Sequence, residues 1–193
     1  MNHLITPEGT TITAFSACGT KPFQPASDTP HTAEAKIDII YPEVPFPTPA
    51  LVREWGEEKI RTMVRHHHQL LRKSTIGSLF GPDDAAFAFA TEKTADFFVE
   101  ALGGTKAYTP VQGHPALRMR HFHITIDEKA RDIWLMMYKK TIRDLSMPSH
   151  LIEEFWNWIE PLSIRMINRR TTVAPIERYP YEGIWTPAQK EEN

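Results

Sequence analysis

From about residue 48 to residue 170, apolar side chains recur every three or four positions, the spacing of helices that bury one face. Leu51, Trp55, Ile60, Met63, Val64 and Leu71 mark a helix over 50–73, entered through Thr48-Pro49. A second, over 85–102, follows the capping residues Asp83 and Asp84 and stops at Gly103-Gly104. His114-Pro115 opens a short helical turn. Asp127 caps a third long helix over 128–145, and a fourth starts at Pro148 or Ser149 and runs over 150–170, bent at Pro161. "HFHITI", residues 121–126, alternates as a strand does, but over too few residues to build a sheet. The pattern predicts an all-α domain spanning 48–170.

The flanks read differently. Residues 1–47 form a Pro/Thr-rich extension, and "YPEVPFPTPA" at 41–50 holds four prolines. Proline fixes φ and removes a backbone donor, so an extended segment is expected, strapped to the domain by Tyr41 and Phe46. Residues 171–193 form a second extension, whose aromatics Tyr179, Tyr181 and Trp185 predict docking.

Composition narrows the function. With 41% hydrophobic and 24% charged residues the chain reads as soluble and globular. A net charge of −2 gives no electrostatic case for nucleic acid or an acidic membrane. The single cysteine, Cys18, rules out an internal disulfide framework and a C-x-x-C-H cofactor attachment. No apolar run reaches the ~18 residues that span a bilayer. "TITAFSACGT" ahead of Cys18 faintly suggests a lipoprotein cleavage site, but no basic residue precedes it, so a cytoplasmic protein is expected.

Two histidine groups carry candidate chemistry. His66, His67 and His68 are consecutive, and consecutive helix residues point ~100° apart, so at most two face one pocket. A zinc site would want i, i+4 pairs, but those positions pair His66 with Leu70 and His67 with Leu71. The bland alternative is a helix face of solvated or core-satisfied histidines. The second group, His121 and His123 after Arg118 and Arg120, reads equally well as an axial metal ligand beside cations or as a solvated basic face.

"GGTKAYTPVQGHPALRMRH", residues 103–121, followed by "DIWL" at 132–135, resembles the proximal segment of the truncated haemoglobins, the 2-on-2 globins, of group II especially. The resemblance implies a globin-like 2-over-2 helical sandwich around a non-covalent haem b, flanked by irregular tails. It makes His121 the proximal iron ligand and Trp134 the tryptophan over the haem. It places Phe80 against the haem, His66 and His67 in the distal pocket with Ala90 and Thr94, and His68 outward or packed elsewhere. Phe97 and Phe98 would contact the cofactor, and Lys106, Tyr108 and Arg118 its propionates, with Arg120 the alternative. Histidine stands here where the family has its distal tyrosine, and the long tails lie outside the family pattern.

The implied function is a haem-b globin that binds or transports dioxygen, or takes nitric oxide, carbon monoxide, cyanide or water, at an iron held by one histidine under a distal histidine pair. One alternative is a peroxidase-like or nitric-oxide-detoxifying redox enzyme served by a reductase, with Tyr138 or Trp134 supplying electrons. Another is a haem-based sensor or interaction protein. Coordination by both His121 and His67 would favour electron transfer over gas binding. No catalytic residue is assigned, and neither nucleic acid nor membrane is expected as a partner.

Overall fold

A computed structural model describes residues 40–185. Residues 1–39 and 186–193, hence Cys18 and most of the 1–47 extension, lie outside the described residues.

The described residues are helical with no strand: α1 (Ala50–Trp55), α2 (Glu57–Arg72), a 3₁₀ turn (Gly77–Phe80), α3 (Asp84–Ala101), α4 (Thr109–Gln112), α5 (Leu117–Arg120), α6 (Glu128–Asp144), α7 (Ser149–Met166) and α8 (Tyr181–Trp185). The helix expected over 50–73 is two helices. Gly56 breaks it with φ +90°, a value that L side chains rarely adopt, and nothing would crowd a Cβ there. Asp83 caps α3 by accepting from the N–H groups of Ala85 and Ala86, and Asp127 caps α6 through Ala130 N–H. Gly103, at φ +87°, ends α3 where a Cβ would meet Pro49 at 3.0 Å. Helix α7 continues through Pro161 and ends at Met166, short of the expected residue 170. "HFHITI" forms turns and coil.

Helix α2 packs on both α3 and α6, and α6 packs on α7, so two helix pairs, α2/α3 and α6/α7, are layered on each other. Their shared core is aromatic. Phe98 of α3 stacks on Tyr138 of α6 with ring centroids 6.0 Å apart and meets Trp158 of α7 edge-on at 5.1 Å. Such pairs contribute ~1 kcal/mol each beyond their buried area.

The flanking segments join this core. Tyr41 lies under the guanidinium groups of Arg118 and Arg165, 5.3 and 6.0 Å from its ring centre, whereas Phe46, expected to strap the segment as well, is 77% exposed. At the other end Trp185 is buried edge-on against Trp156, whose indole N–H donates to the carbonyl of Tyr179 at 2.7 Å.

Beneath this C-terminal segment lies a buried charge cluster. Arg131 donates to Glu160 at 2.6 Å, to Ser163 Oγ at 2.9 Å and to the carbonyl of Glu177 at 2.7 Å. Arg178 binds the second Glu160 oxygen at 2.8 Å. Glu160→Ala would leave two cations facing an empty site, one of them buried. Breaking a buried pair from one side costs about 3–5 kcal/mol, so urea unfolding of this variant should show a loss of that order. A loss under ~1 kcal/mol, typical of an exposed pair, would deny the cluster its role.

Candidate functional site

Helices α2, α3, α5, α6 and α7 enclose a cavity of about 440 Å³. Most of its wall is apolar, built from side chains such as Leu71, Leu79, Phe97, Ile124 and Leu162. That size and lining suit an organic cofactor. Of the residues singled out in the sequence, Phe80, Ala90, Thr94, Phe97, Phe98, Tyr108, Trp134, Tyr138, His121 and His123 are brought together on this wall, along with Arg120. His66, His67, Lys106 and Arg118 are not.

The histidine triplet is divided by the two neighbours of α2. Buried positions Ile60, Met63, Val64, His67 and Leu71 form one stripe, so His67 belongs to the core face. Its Nε2–H donates to the carbonyl of Trp134 at 3.1 Å, and its ring stacks on Tyr138 at 3.5 Å. Burial pushes its pKa well below the ordinary value and keeps it neutral. Its Nδ1 has no hydrogen-bond partner among the described residues. His66 sits on the surface, 2.7 Å from Asp144, which Lys140 also holds. His68, expected outward or packed elsewhere, is the member of the triplet on the cavity wall, turned toward Phe80 and Phe87 with centroids 6.1 and 6.4 Å away.

His68 and His121 share one arrangement. Nδ1 of His68 donates to the carbonyl of Val64 at 2.8 Å, and Nδ1 of His121 to that of Leu117 at 2.7 Å. Each bond runs back one helical turn, and Nε2 on the other side of the ring has no partner among the described residues. Burial lowers both pKa values, that of His68 to about 4, so both rings are neutral and both Nε2 atoms carry a lone pair. His121 closes α5, a helix of four residues, while His68 rides on sixteen-residue α2.

The cations fall differently from the expectation. The guanidinium of Arg118 is turned to the end of α7, donating to the carbonyls of Arg165 at 3.1 Å and Ile167 at 2.6 Å. Lys106 is exposed and away from the cavity. Lys93 and Arg120 line the wall instead. Arg120 donates to the carbonyls of Pro115, Gln112 and His114 and, like Lys93, has no carboxylate partner among the described residues. Thr94 spends its hydroxyl on the carbonyl of Ala90 at 2.9 Å. Sequence reasoning missed His68 and Lys93. The stripe through Ile60, Met63, Val64 and Leu71 would have assigned His67 to the core, and one step along α2 then gives His68.

Two helix pairs around an apolar cavity, with imidazoles on its wall and two cations, Lys93 and Arg120, that have no carboxylate partner among the described residues, are the architecture of a haem-binding globin of the truncated kind. The family model of the bacterial-like globins matches residues 55–168. The chain is 48% identical to Hell's gate globin IV, whose phosphate-bound crystal structure superposes with a TM-score of 0.76 over 78% of this chain and 94% of that one. The group 2 truncated hemoglobin YjbI of Bacillus subtilis is 25% identical over 114 residues, 59% of this chain and 85% of that protein. The structure of a truncated oxygen-avid haemoglobin from Bacillus subtilis, 25% identical, gives a TM-score of 0.56 over 61% of this chain and 98% of that one. This chain belongs to the bacterial-like globin family and is a haem globin.

The histidine burial has a consequence for stability without cofactor. His68 has a folded pKa of about 4 against an ordinary 6.5, so between those values the unfolded chain binds more protons. Stability from this group is therefore complete above pH 6.5 and is lost as pH falls toward 4, and His67 acts with the same sign. Because His68 faces a cavity, its share should be roughly 1–2 kcal/mol between pH 7.5 and 5. Urea titrations of the cofactor-free protein should show that loss, and His68→Leu should flatten it. An unchanged slope in the variant would place the acid sensitivity elsewhere.

Proposed function

We propose that the cavity holds a non-covalent haem, with His121 Nε2 as proximal ligand and His68 and Trp134 in the distal pocket, and that the protein binds dioxygen or another small diatomic molecule. The observation that carries this reading is the pair of neutral imidazoles lining one cavity, each with Nδ1 held by a backbone carbonyl and with no partner for Nε2 among the described residues. The residues fit the group in other ways too. Aromatic and aliphatic side chains offer flat apolar contact, and Lys93 and Arg120 stand ready for two propionates.

A bound haem supplies an iron with a position open to a small gas. The protein does the rest. The bond from His121 Nδ1 to the carbonyl of Leu117 fixes the tautomer and ring orientation and raises the basicity of Nε2. Trp134 brings an indole N–H, a donor only, to the cavity. His68 in its observed tautomer presents an acceptor, so it can hold a water or act as a ligand itself. The likeness to an oxygen-avid haemoglobin of Bacillus subtilis favours dioxygen among the diatomic gases.

That lone pair also supports a second reading, in which His68 occupies the sixth iron position and the protein transfers electrons. Here His68 takes the place that the sequence reading gave to His67.

The deciding experiment is the absorption spectrum of the haem-reconstituted protein, ferric and ferrous, with and without carbon monoxide, from pH 5 to 9. Stoichiometric haem and rapid carbon monoxide binding are expected. His121→Ala should lose haem by more than the roughly 10–100-fold that outer-shell changes cost, while His68→Leu keeps haem and alters gas release. A low-spin spectrum that His68→Leu converts to high-spin would favour the electron-transfer reading. Haem retained by His121→Ala and lost by His68→Leu would reverse the assignment.

A further inference from the structure

His121 sits where local sequence cannot hold it. Helix α5 has four residues, its N-cap Ala116 takes left-handed φ and ψ of 42° each, and no side chain caps it. A single turn fixes several dihedrals for about one hydrogen bond and does not persist alone. His121, the C-cap of that turn, leads into coil that runs to Ile126. Something outside α5 therefore sets where the imidazole stands.

Asn168, two residues beyond α7, supplies that constraint. Its amide Nδ2 donates to the carbonyl of His121 at 3.0 Å and to that of Ile124 at 2.9 Å, while its Oδ1 accepts from Ile126 N–H at 2.9 Å. Its own backbone N–H donates to the carbonyl of Ile126 at 3.0 Å. One side chain thus satisfies three backbone groups in the six residues that start with His121. The support behind it is rigid, because Ile164 and Ile167 are buried at 1% and 0% exposure. Arg118 completes the clamp from the other side through its bonds to the carbonyls of Arg165 and Ile167.

We infer that Asn168 is a positioning residue for the iron-binding imidazole, transmitting the placement of α7 to the backbone of His121. The inference rests on the assignment of His121 as proximal ligand. Asn168 does not line the cavity; it acts through the carbonyl of His121 and the loop behind it. Only an amide does the whole task, since the site needs two donors and one acceptor in a fork. Aspartate keeps the acceptor for Ile126 N–H but sets a second oxygen against two carbonyls.

The test compares holoprotein carrying Asn168→Ala or Asn168→Asp with wild type and with Asp83→Ala, which removes the cap of α3 instead. Three readouts are taken: melting temperature, the rate of haem transfer to an acceptor globin, and the iron–histidine stretching band of the ferrous protein in resonance Raman. Both Asn168 variants should shift or broaden that band and lose haem roughly tenfold faster or more, and Asp83→Ala should lower the melting temperature while leaving the band in place. Asn168 variants that melt earlier but keep the wild-type band and haem-loss rate would overturn the inference, leaving Asn168 a loop staple. Failure of the His121 assignment looks different: His121→Gly would then retain the wild-type iron–histidine band.

Discussion

Helix α2 must satisfy two neighbours at once, and the site follows from that constraint. The helix is covered by α6 on one side and by α3 and the 3₁₀ turn on the other. Adjacent residues on a helix differ by ~100° in direction, so His67 and His68 meet different surroundings although they are covalent neighbours. Toward α6 the interior is closed, and an imidazole survives there only neutral, stacked on Tyr138 with one N–H given to a helix carbonyl. Toward α3 the packing opens into the cavity, and the same side chain keeps a nitrogen free. Among the described residues the Nδ1 of His67 and the hydroxyl of Tyr138 have no hydrogen-bond partner, so burying this face carries a polar cost. That cost is tolerable because the stacked rings bury a large apolar area and join α2 to α6 behind the cavity.

The second constraint lies across the cavity, where Arg131 belongs both to its wall and to the buried cluster with Glu160. Desolvating such a pair costs several kcal/mol per ion, and the attraction between them offsets this only with full hydrogen bonding. Glu160 accepts from Arg131, Arg178 and the N–H of Tyr179, and Arg131 reaches Ser163 and the carbonyl of Glu177 as well. Two of those partners, Arg178 and Tyr179, come from the segment after α7, as does the carbonyl of Glu177. The C-terminal residues are thus part of how α6 and α7 stay in register beside the cavity.

How much of this was legible depends on whether a residue's role is local. Asp83, Asp127 and Gly103 act on their own helix ends, and their type and position predict those ends directly. Gly56 acts locally too, but a glycine within an apolar 3–4 pattern reads as tolerated rather than as a break, so α1 and α2 merged. The resemblance carried by residues 103–121 conveyed the family and the sandwich. It did not distinguish His67 from His68, because that choice turns on one step of helical phase. Nor could it separate Arg118 from Arg120. Both lie on a single turn with no periodicity to exploit, and what divides them is the end of α7, whose carbonyls lie 47 and 49 residues from Arg118 along the chain. Lys93 carried no motif at all; only the approach of α3 to the cavity gives it a role.

In the proposed site, the two histidines differ less in chemistry than in what holds them. Both are neutral, both donate Nδ1–H one turn back, and both offer Nε2. His121 is fixed through side-chain bonds, from Asn168 to its carbonyl and from Arg118 to the end of α7, so moving it means disturbing several groups together. The ring of His68 is held by one bond to the carbonyl of Val64, beside a cavity with room to turn. Exchanging its lone pair for an N–H requires giving up that bond, a net change of only about 1 kcal/mol. A donor-only indole at Trp134 supplements whichever form His68 takes. The distal side can thus change its hydrogen-bonding character at small cost while the proximal side stays put, a division of labour suited to a site that must hold its iron firmly and its guest loosely.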